Sequence, residues 1–174
     1  MTEKMENRIS QETDPSYTNC FFDTRGEPFA DRESFNNAIL LLTTVKRGCY
    51  YITGFDRRKL IVEVGFDLDT LFGRRITEKA TVDFRSSPEF VVIRGRMDNI
   101  SSVPGAAKYV SKREEACFRT EGDSVFFEKK IAKDSVVPVS FSKLHNALLE
   151  TKKQISRLLK ECCENAVNNK KGTD

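Results

Sequence analysis

Two aspartates, Asp67 and Asp69, close an apolar run that begins at Leu60, with Thr70 and Leu71 directly after them. Carboxylates this close at the end of a strand are residue types that acid–base and nucleophilic catalysis use. Few other groups could do chemistry. His145 is the one histidine of the chain, and it lies beside a helical stripe with no nucleophile next to it in sequence. Cys162 and Cys163 are adjacent on that helix, so they diverge from any common ion, and no CxxC pair or histidine cluster accompanies them. P-loop, GxGxxG and GxSxG patterns are absent. These residues predict no enzyme, no cofactor and no metal.

Basic residues suggest a different chemistry. The chain has 29 Lys and Arg against 26 Asp and Glu, a net charge of +3, so a basic surface has to come from local clustering. Arg57, Arg58 and Lys59 sit in a predicted turn, Arg74 and Arg75 follow a strand, and Arg94 and Arg96 share one face of another. Lys112-Arg113 and Lys129-Lys130 add further pairs. Tyr50, Tyr51 and Phe55 lie near the first cluster, and exposed aromatics beside cations are how single-stranded DNA or RNA is commonly held on sheets.

The elements that would position these groups follow from hydrophobic period. From Asp31, Phe35, Ile39, Leu42 and Val45 recur at helical spacing, with Asp31 as cap and Gly48 as stop. After Gly48 the period becomes two. Cys49–Phe55 and Lys59–Leu68 form a hairpin around 54–58, Ala80–Arg85 and Glu89–Met97 a second, and Glu115–Thr120 and Ser124–Ile131 a third. Short strands are expected at Cys20–Phe22 and Val136–Val139, and residues 98–114 read as a long connection with room for one helical turn. The remainder is one helix, 140–167, with Phe141, Leu144, Leu148, Thr151, Ile155, Leu158 and Cys162 on one face. Strands joined by hairpins rather than helical crossovers predict an α+β domain: an antiparallel β-sandwich or barrel of about seven strands, an N-terminal helix and a long C-terminal helix.

Residues 1–17 and 168–174 read as polar tails around a single domain, 18–167. No window is apolar enough to span a membrane, and the polar N-terminus lacks the apolar segment of a secretory signal. That predicts a reducing compartment, nucleus or cytoplasm, in which the five cysteines remain thiols.

The stretch 61–75, IVEVGFDLDTLFGRR, resembles the first motif of the haloacid-dehalogenase phosphatases. In that family the first carboxylate is a nucleophile and the second an acid/base. The chain departs from the motif where it matters. The glycine between Asp69 and Thr70 is missing, and the strand alternates polar and apolar residues, unlike a buried parallel strand. The later Gly-Asp of EGDS sits in a hairpin turn. Asp67 and Asp69 therefore read as acidic residues at a strand end.

Three antiparallel families offer closer patterns. Ser124-Val-Phe-Phe-Glu-Lys-Lys-Ile-Ala-Lys-Asp134, then Phe141-Ser-Lys-Leu144 and RLLKECCENAVNN, resemble the last strands and stalk entry of the DNA end-joining scaffold family. The resemblance implies a β-sandwich head, a helix pair in mid-head and a dimerising helical stalk, although this chain places its clear helix first. The order of elements is also similar to the pleckstrin-homology-like superfold, whose members bind peptides, proteins or phosphoinositides. The step Val137-Pro-Val-Ser140 before the helix is similar to the positive-cofactor and Whirly-type single-stranded-DNA binders.

The expectation is a non-enzymatic scaffold or adaptor. It would associate with a protein partner, or with itself, through Leu148, Ile155, Leu158, Leu159 and Cys162 of the C-terminal helix as a coiled-coil seam, in a nuclear DNA-associated complex. The alternative is direct binding of single-stranded nucleic acid by Tyr50, Tyr51, Arg57, Arg58, Lys59, Arg74, Arg75, Arg94 and Arg96.

Overall fold

The computed structural model describes residues 32, 35–40, 49–69, 73–133 and 141–171. Their strands are β1 (Tyr51–Asp56), β2 (Ile61–Asp69), β3 (Arg75–Asp83), β4 (Phe90–Arg96), β5 (Phe118–Glu121) and β6 (Ser124–Ala132). They form one open antiparallel sheet in the order β1-β2-β3-β4-β6-β5. Two short helices, α1 (Asp98–Ser101) and α2 (Ala106–Ser111), connect β4 to β5, and α3 (Phe141–Lys171) ends the described chain.

Alternation decides what the sheet buries. On β2, Val62, Val64, Phe66 and Leu68 point to one face and are fully buried, opposite Val82, Ala80, Glu78 and Ile76 of β3. Ile93 of β4 and Phe127 and Ile131 of β6 extend that face, with Phe118 of β5 edge-to-face on Phe127 at 5.3 Å between ring centroids. At roughly 1.5–3 kcal/mol per fully buried large apolar side chain, this layer is the main source of stability.

Helix α3 covers the apolar face. Leu144, Ala147, Leu148, Thr151, Ile155, Leu158, Leu159 and Cys162 are its buried positions, and the buried Thr151 hydroxyl donates to the Ala147 carbonyl one turn earlier at 2.7 Å. Lys143 Nζ donates to the Ala132 carbonyl at 2.8 Å, which ties the helix start to the end of β6. Arg157 reaches Glu115 at 3.0 Å farther along, and Arg113 pairs with Glu161. The helix thus runs from the β1–β2 turn end of the sheet toward α1 and α2.

A glutamate in the core places α1. Glu78 is 1% exposed on the apolar face, and its Oε1 accepts the Ile100 N–H at 3.0 Å. No side chain local to α1 caps its N-terminus, so a carboxylate from β3 supplies the acceptor. Asn99 Nδ2 donates to the Thr77 carbonyl at 2.8 Å, and the Ser101 hydroxyl accepts Val125 N–H at 2.9 Å. Burial raises the Glu78 pKa, partly countered by the N–H groups of Ile100 and Asn99.

Several expectations change. The described residues hold six strands in one open sheet, where a sandwich or barrel of about seven was expected, and helices rather than a second sheet cover the apolar face. The expected strands at 20–22 and 136–139 lie outside the described residues. The 98–114 connection contains two helices. Its apolar anchors, Ile100, Ala106 and Val110, are too few to print a helical stripe, and the acceptor for α1 comes from a distant strand. The N-terminal helix is described at 35–40, with Phe35 and Ala38 buried, while 41–48 lie outside the described residues. Helix α3 continues to Lys171, beyond the expected stop at 167.

Candidate nucleic-acid and partner interfaces

The nine expected nucleic-acid residues do not form one surface. Tyr50 is buried, with its hydroxyl 2.5 Å from His145 Nδ1 and its ring 5.7 Å from the imidazole between centroids. Burial, with a smaller contribution from Cys49, pushes its pKa up to about 12. A ring so enclosed presents no face to a base, and Tyr50 is a core residue. His145, in turn, is the partner that satisfies a buried hydroxyl.

Tyr51 lies flat on the opposite, open face of the sheet, across Gly65. A Cβ at position 65 would come within 2.7 Å of its ring, so only glycine admits it there. The Tyr51 hydroxyl donates to Asp67 Oδ1 at 3.3 Å, and the Thr77 hydroxyl donates to the same oxygen at 2.8 Å. Asp67 is therefore a strut between β1, β2 and β3. Asp69 is largely exposed, 4.0 Å from the equally exposed Arg75.

Arg94 and Arg96 also point to the open face, already engaged. Arg94 Nη2 donates to Asp83 Oδ2 at 2.6 Å, and Arg96 Nε lies 3.1 Å from Asp98 Oδ1. Burial would raise the Asp83 pKa, but the Arg85 and Ser86 N–H groups, the Ser86 hydroxyl and the Arg94 guanidinium outweigh it and hold the pKa below its ordinary value. Lys79, Arg119 and Phe126, which were not among the expected residues, share a groove of about 600 Å³ with Arg94 and Arg96. Arg119 stacks 4.8 Å from the Phe126 centroid and pairs with Glu121. Glu63, Asp98 and Glu128 line the same groove, so its cations meet nearly as many carboxylates. The β5–β6 turn at Glu121-Gly-Asp sets the register that brings Arg119 opposite Phe126.

The remaining basic residues fall at opposite ends of the sheet. Arg57, Arg58 and Lys59 precede β2, whereas Arg74 and Arg75 follow it. Eight residue steps of strand separate those ends, roughly 27 Å. The first group gains a cation from elsewhere in the chain: Arg85 Nη1 donates to the Arg58 carbonyl at 2.9 Å.

The five expected partner residues of α3 face inward. Leu148, Ile155, Leu158, Leu159 and Cys162 are all buried in the protein's own core, where α3 packs on β2, β6, α1 and α2. The Cys162 thiol is pushed up to about 12, first by burial and then by Cys163 and Glu161. The stripe has an occupant already. After Cys162 no residue of α3 is buried, and Val167 is 41% exposed. Beside this distal part a polar cleft of about 720 Å³ is lined by Lys108, Tyr109, Lys112, Arg113, Asn165 and Asn169.

Among the described residues no group of acidic, histidine and cysteine side chains could hold a metal ion, and no helix is long and apolar enough to cross a membrane. The chain matches no family model, no curated protein and no solved structure.

Proposed function

We propose that the chain is a non-catalytic scaffold that associates through the distal part of α3, with a second copy or with a partner helix, in a nuclear DNA-linked complex. The observation that carries this reading is the length of α3. Its 31 residues make a rod of roughly 46 Å, and the sheet buries none of them beyond Cys162. Of the final nine residues, 163–171, only Cys163 packs against the core, and the helix carries Val167 outward. Helices in proteins draw most of their stability from tertiary packing, so this exposed end would gain by packing on another helix. The element order supports the resemblance to the end-joining scaffolds. A helix pair, α1 and α2, interrupts the strands after β4, and two strands and a long helix follow. The role of Asp67 as a strut supports a non-catalytic reading.

Light scattering on the full chain tests it. The expected mass is that of a dimer, and Val167→Asp should return it to 19.9 kDa while the monomer still unfolds cooperatively at a lower midpoint. The reading fails if the wild-type chain is monomeric and Val167→Asp also retains every protein that the wild type captures from a native extract.

A further inference from the structure

The turn joining β1 to β2 is held more firmly than its polar sequence requires. Asp56 Oδ1 accepts the N–H groups of Arg58 at 2.9 Å and Lys59 at 3.0 Å. Leu60 closes the turn with a left-handed φ of 54° while its side chain is buried. A bulky non-glycine residue adopts that conformation against a steric cost that its surroundings have to offset. The offsetting contacts come from the β3–β4 connection. Phe84 N–H donates to the Leu60 carbonyl at 3.1 Å, and Arg85 Nη1 donates to that of Arg58 at 2.9 Å.

This rigid turn presents cations. Arg58 and Lys59 are exposed, with Arg57 and Arg85 beside them, and the half-exposed Asp56 spends one carboxylate oxygen on the turn N–H groups while the other lies 4.0 Å from Lys59 Nζ. Behind the tip, on edge strand β1, Phe55 is 50% exposed. The Arg57 guanidinium lies 5.5 Å from its ring centroid. We propose that this turn binds single-stranded nucleic acid. An unpaired base stacks on Phe55, and Arg58 and Lys59, flanked by Arg57 and Arg85, hold the adjoining phosphates.

Three features select this occupant. A half-exposed ring beside arginines is the pairing of stacking platform and phosphate clamp that single strands use, and a duplex offers no free base to the ring. Arginine matches phosphate with a planar fork and stacks as well, and three of the four cations are arginines. The ring sits back along the strand rather than at the tip, so the charged tip would meet a bilayer before any apolar wedge. This proposal is independent of the scaffold reading, which concerns the other end of the molecule.

Anisotropy of a labelled oligo-dT titrated with the full chain tests it, between about 50 and 200 mM salt. Each single-strand phosphate contact contributes about 0.7 to the slope of log K against log salt, so Arg58→Ala with Lys59→Ala should reduce that slope by about 1.4. Phe55→Ala should weaken binding by about fivefold or more without moving the slope, and Phe55→Tyr should restore it. All these side chains lie at the surface, and melting curves of the variants should superpose on the wild type. Any one of four results overturns the proposal: no saturable binding at low salt, a double variant that binds as the wild type does, a Phe55→Ala variant of full affinity, or equal affinity for duplex DNA, poly-glutamate or phosphatidylserine vesicles.

Discussion

Replacing Glu78 probes the least expected feature of the core, a carboxylate at 1% exposure facing apolar side chains. Two effects oppose each other there. Burial disfavours the ionised form and raises the pKa, while the Ile100 and Asn99 N–H groups favour it. Because the net shift is upward, the folded state binds a proton at pH values where the unfolded state has released its own. The slope of stability against pH is therefore negative between the unfolded value, about 4.3, and the higher folded value. Stability from the protonated form is fully present below that window and lost as pH rises through it.

Glu78→Gln separates the two effects. The amide keeps a carbonyl oxygen for the Ile100 N–H and carries no charge to bury. The stability of the variant relative to wild type should rise from about pH 4 to about pH 8, measured by urea unfolding. Glu78→Ala removes the acceptor and leaves the α1 N–H groups of residues 99 and 100 facing the core. A buried unpartnered donor costs about 1–3 kcal/mol, so this variant should be less stable than Glu78→Gln by roughly that amount at neutral pH. At 2 kcal/mol the folded-to-unfolded ratio falls by roughly 30-fold, a large part of a typical domain's margin. A pH-independent difference between Glu78→Gln and wild type would refute the reasoning, and so would a Glu78→Ala variant as stable as Glu78→Gln.

Two further perturbations test the core against the sequence reading. Tyr50 should ionise only near pH 12, since its neutral phenol is favoured by burial; the stability this confers is present below the unfolded value, about 10, and lost as pH rises through the folded one. Phenolate absorbance should show this late step, and Tyr50→Phe should delete it and cost about 0.5–1.5 kcal/mol for the lost bond to His145. The Cys162 thiol, buried and raised to about 12, should resist a thiol reagent in the native protein and react on unfolding, with Cys162→Ser identifying the protected site by mass spectrometry.

Periodicity made the strands and the long helix legible, because alternation and a three-four stripe are direct consequences of one-sided burial. Val62 to Leu68 on β2 and Leu144 to Cys162 on α3 bury as their spacing predicts. The helix pair escaped because its determinants are not local: α1 takes its cap from Glu78, twenty-two residues upstream of Ile100. The sites were less legible still. A basic residue in sequence carries no sign of its partners, and Arg94 and Arg96 are met by Asp83 and Asp98 only through register and the β4–α1 junction. Tyr50 and Tyr51, adjacent in sequence, end on opposite sides of the sheet, one under α3 beside His145 and one across Gly65. Arg85 joins the β1–β2 turn only because β3 runs antiparallel to β2 and ends beside it.

The same stripe of apolar residues serves equally well as a coiled-coil seam or as the inner face of a docked helix, since both need the same spacing. What separates the two is the surface opposite. Here β2 and β6 present Val64, Phe66, Phe127 and Ile131, an apolar face that no second sheet covers among the described residues. Leaving it uncovered would expose more apolar area than a partner could reliably protect, so α3 is committed to its own head as far as Cys162. The proposed association through this helix would therefore begin beyond Cys162. The start of α3 is tied to Ala132, at the same end of the sheet as the β1–β2 turn, and its distal end lies by α2. A partner on residues 163–171 and a nucleic-acid strand on the turn would thus occupy opposite ends of one head, and neither would obstruct the other.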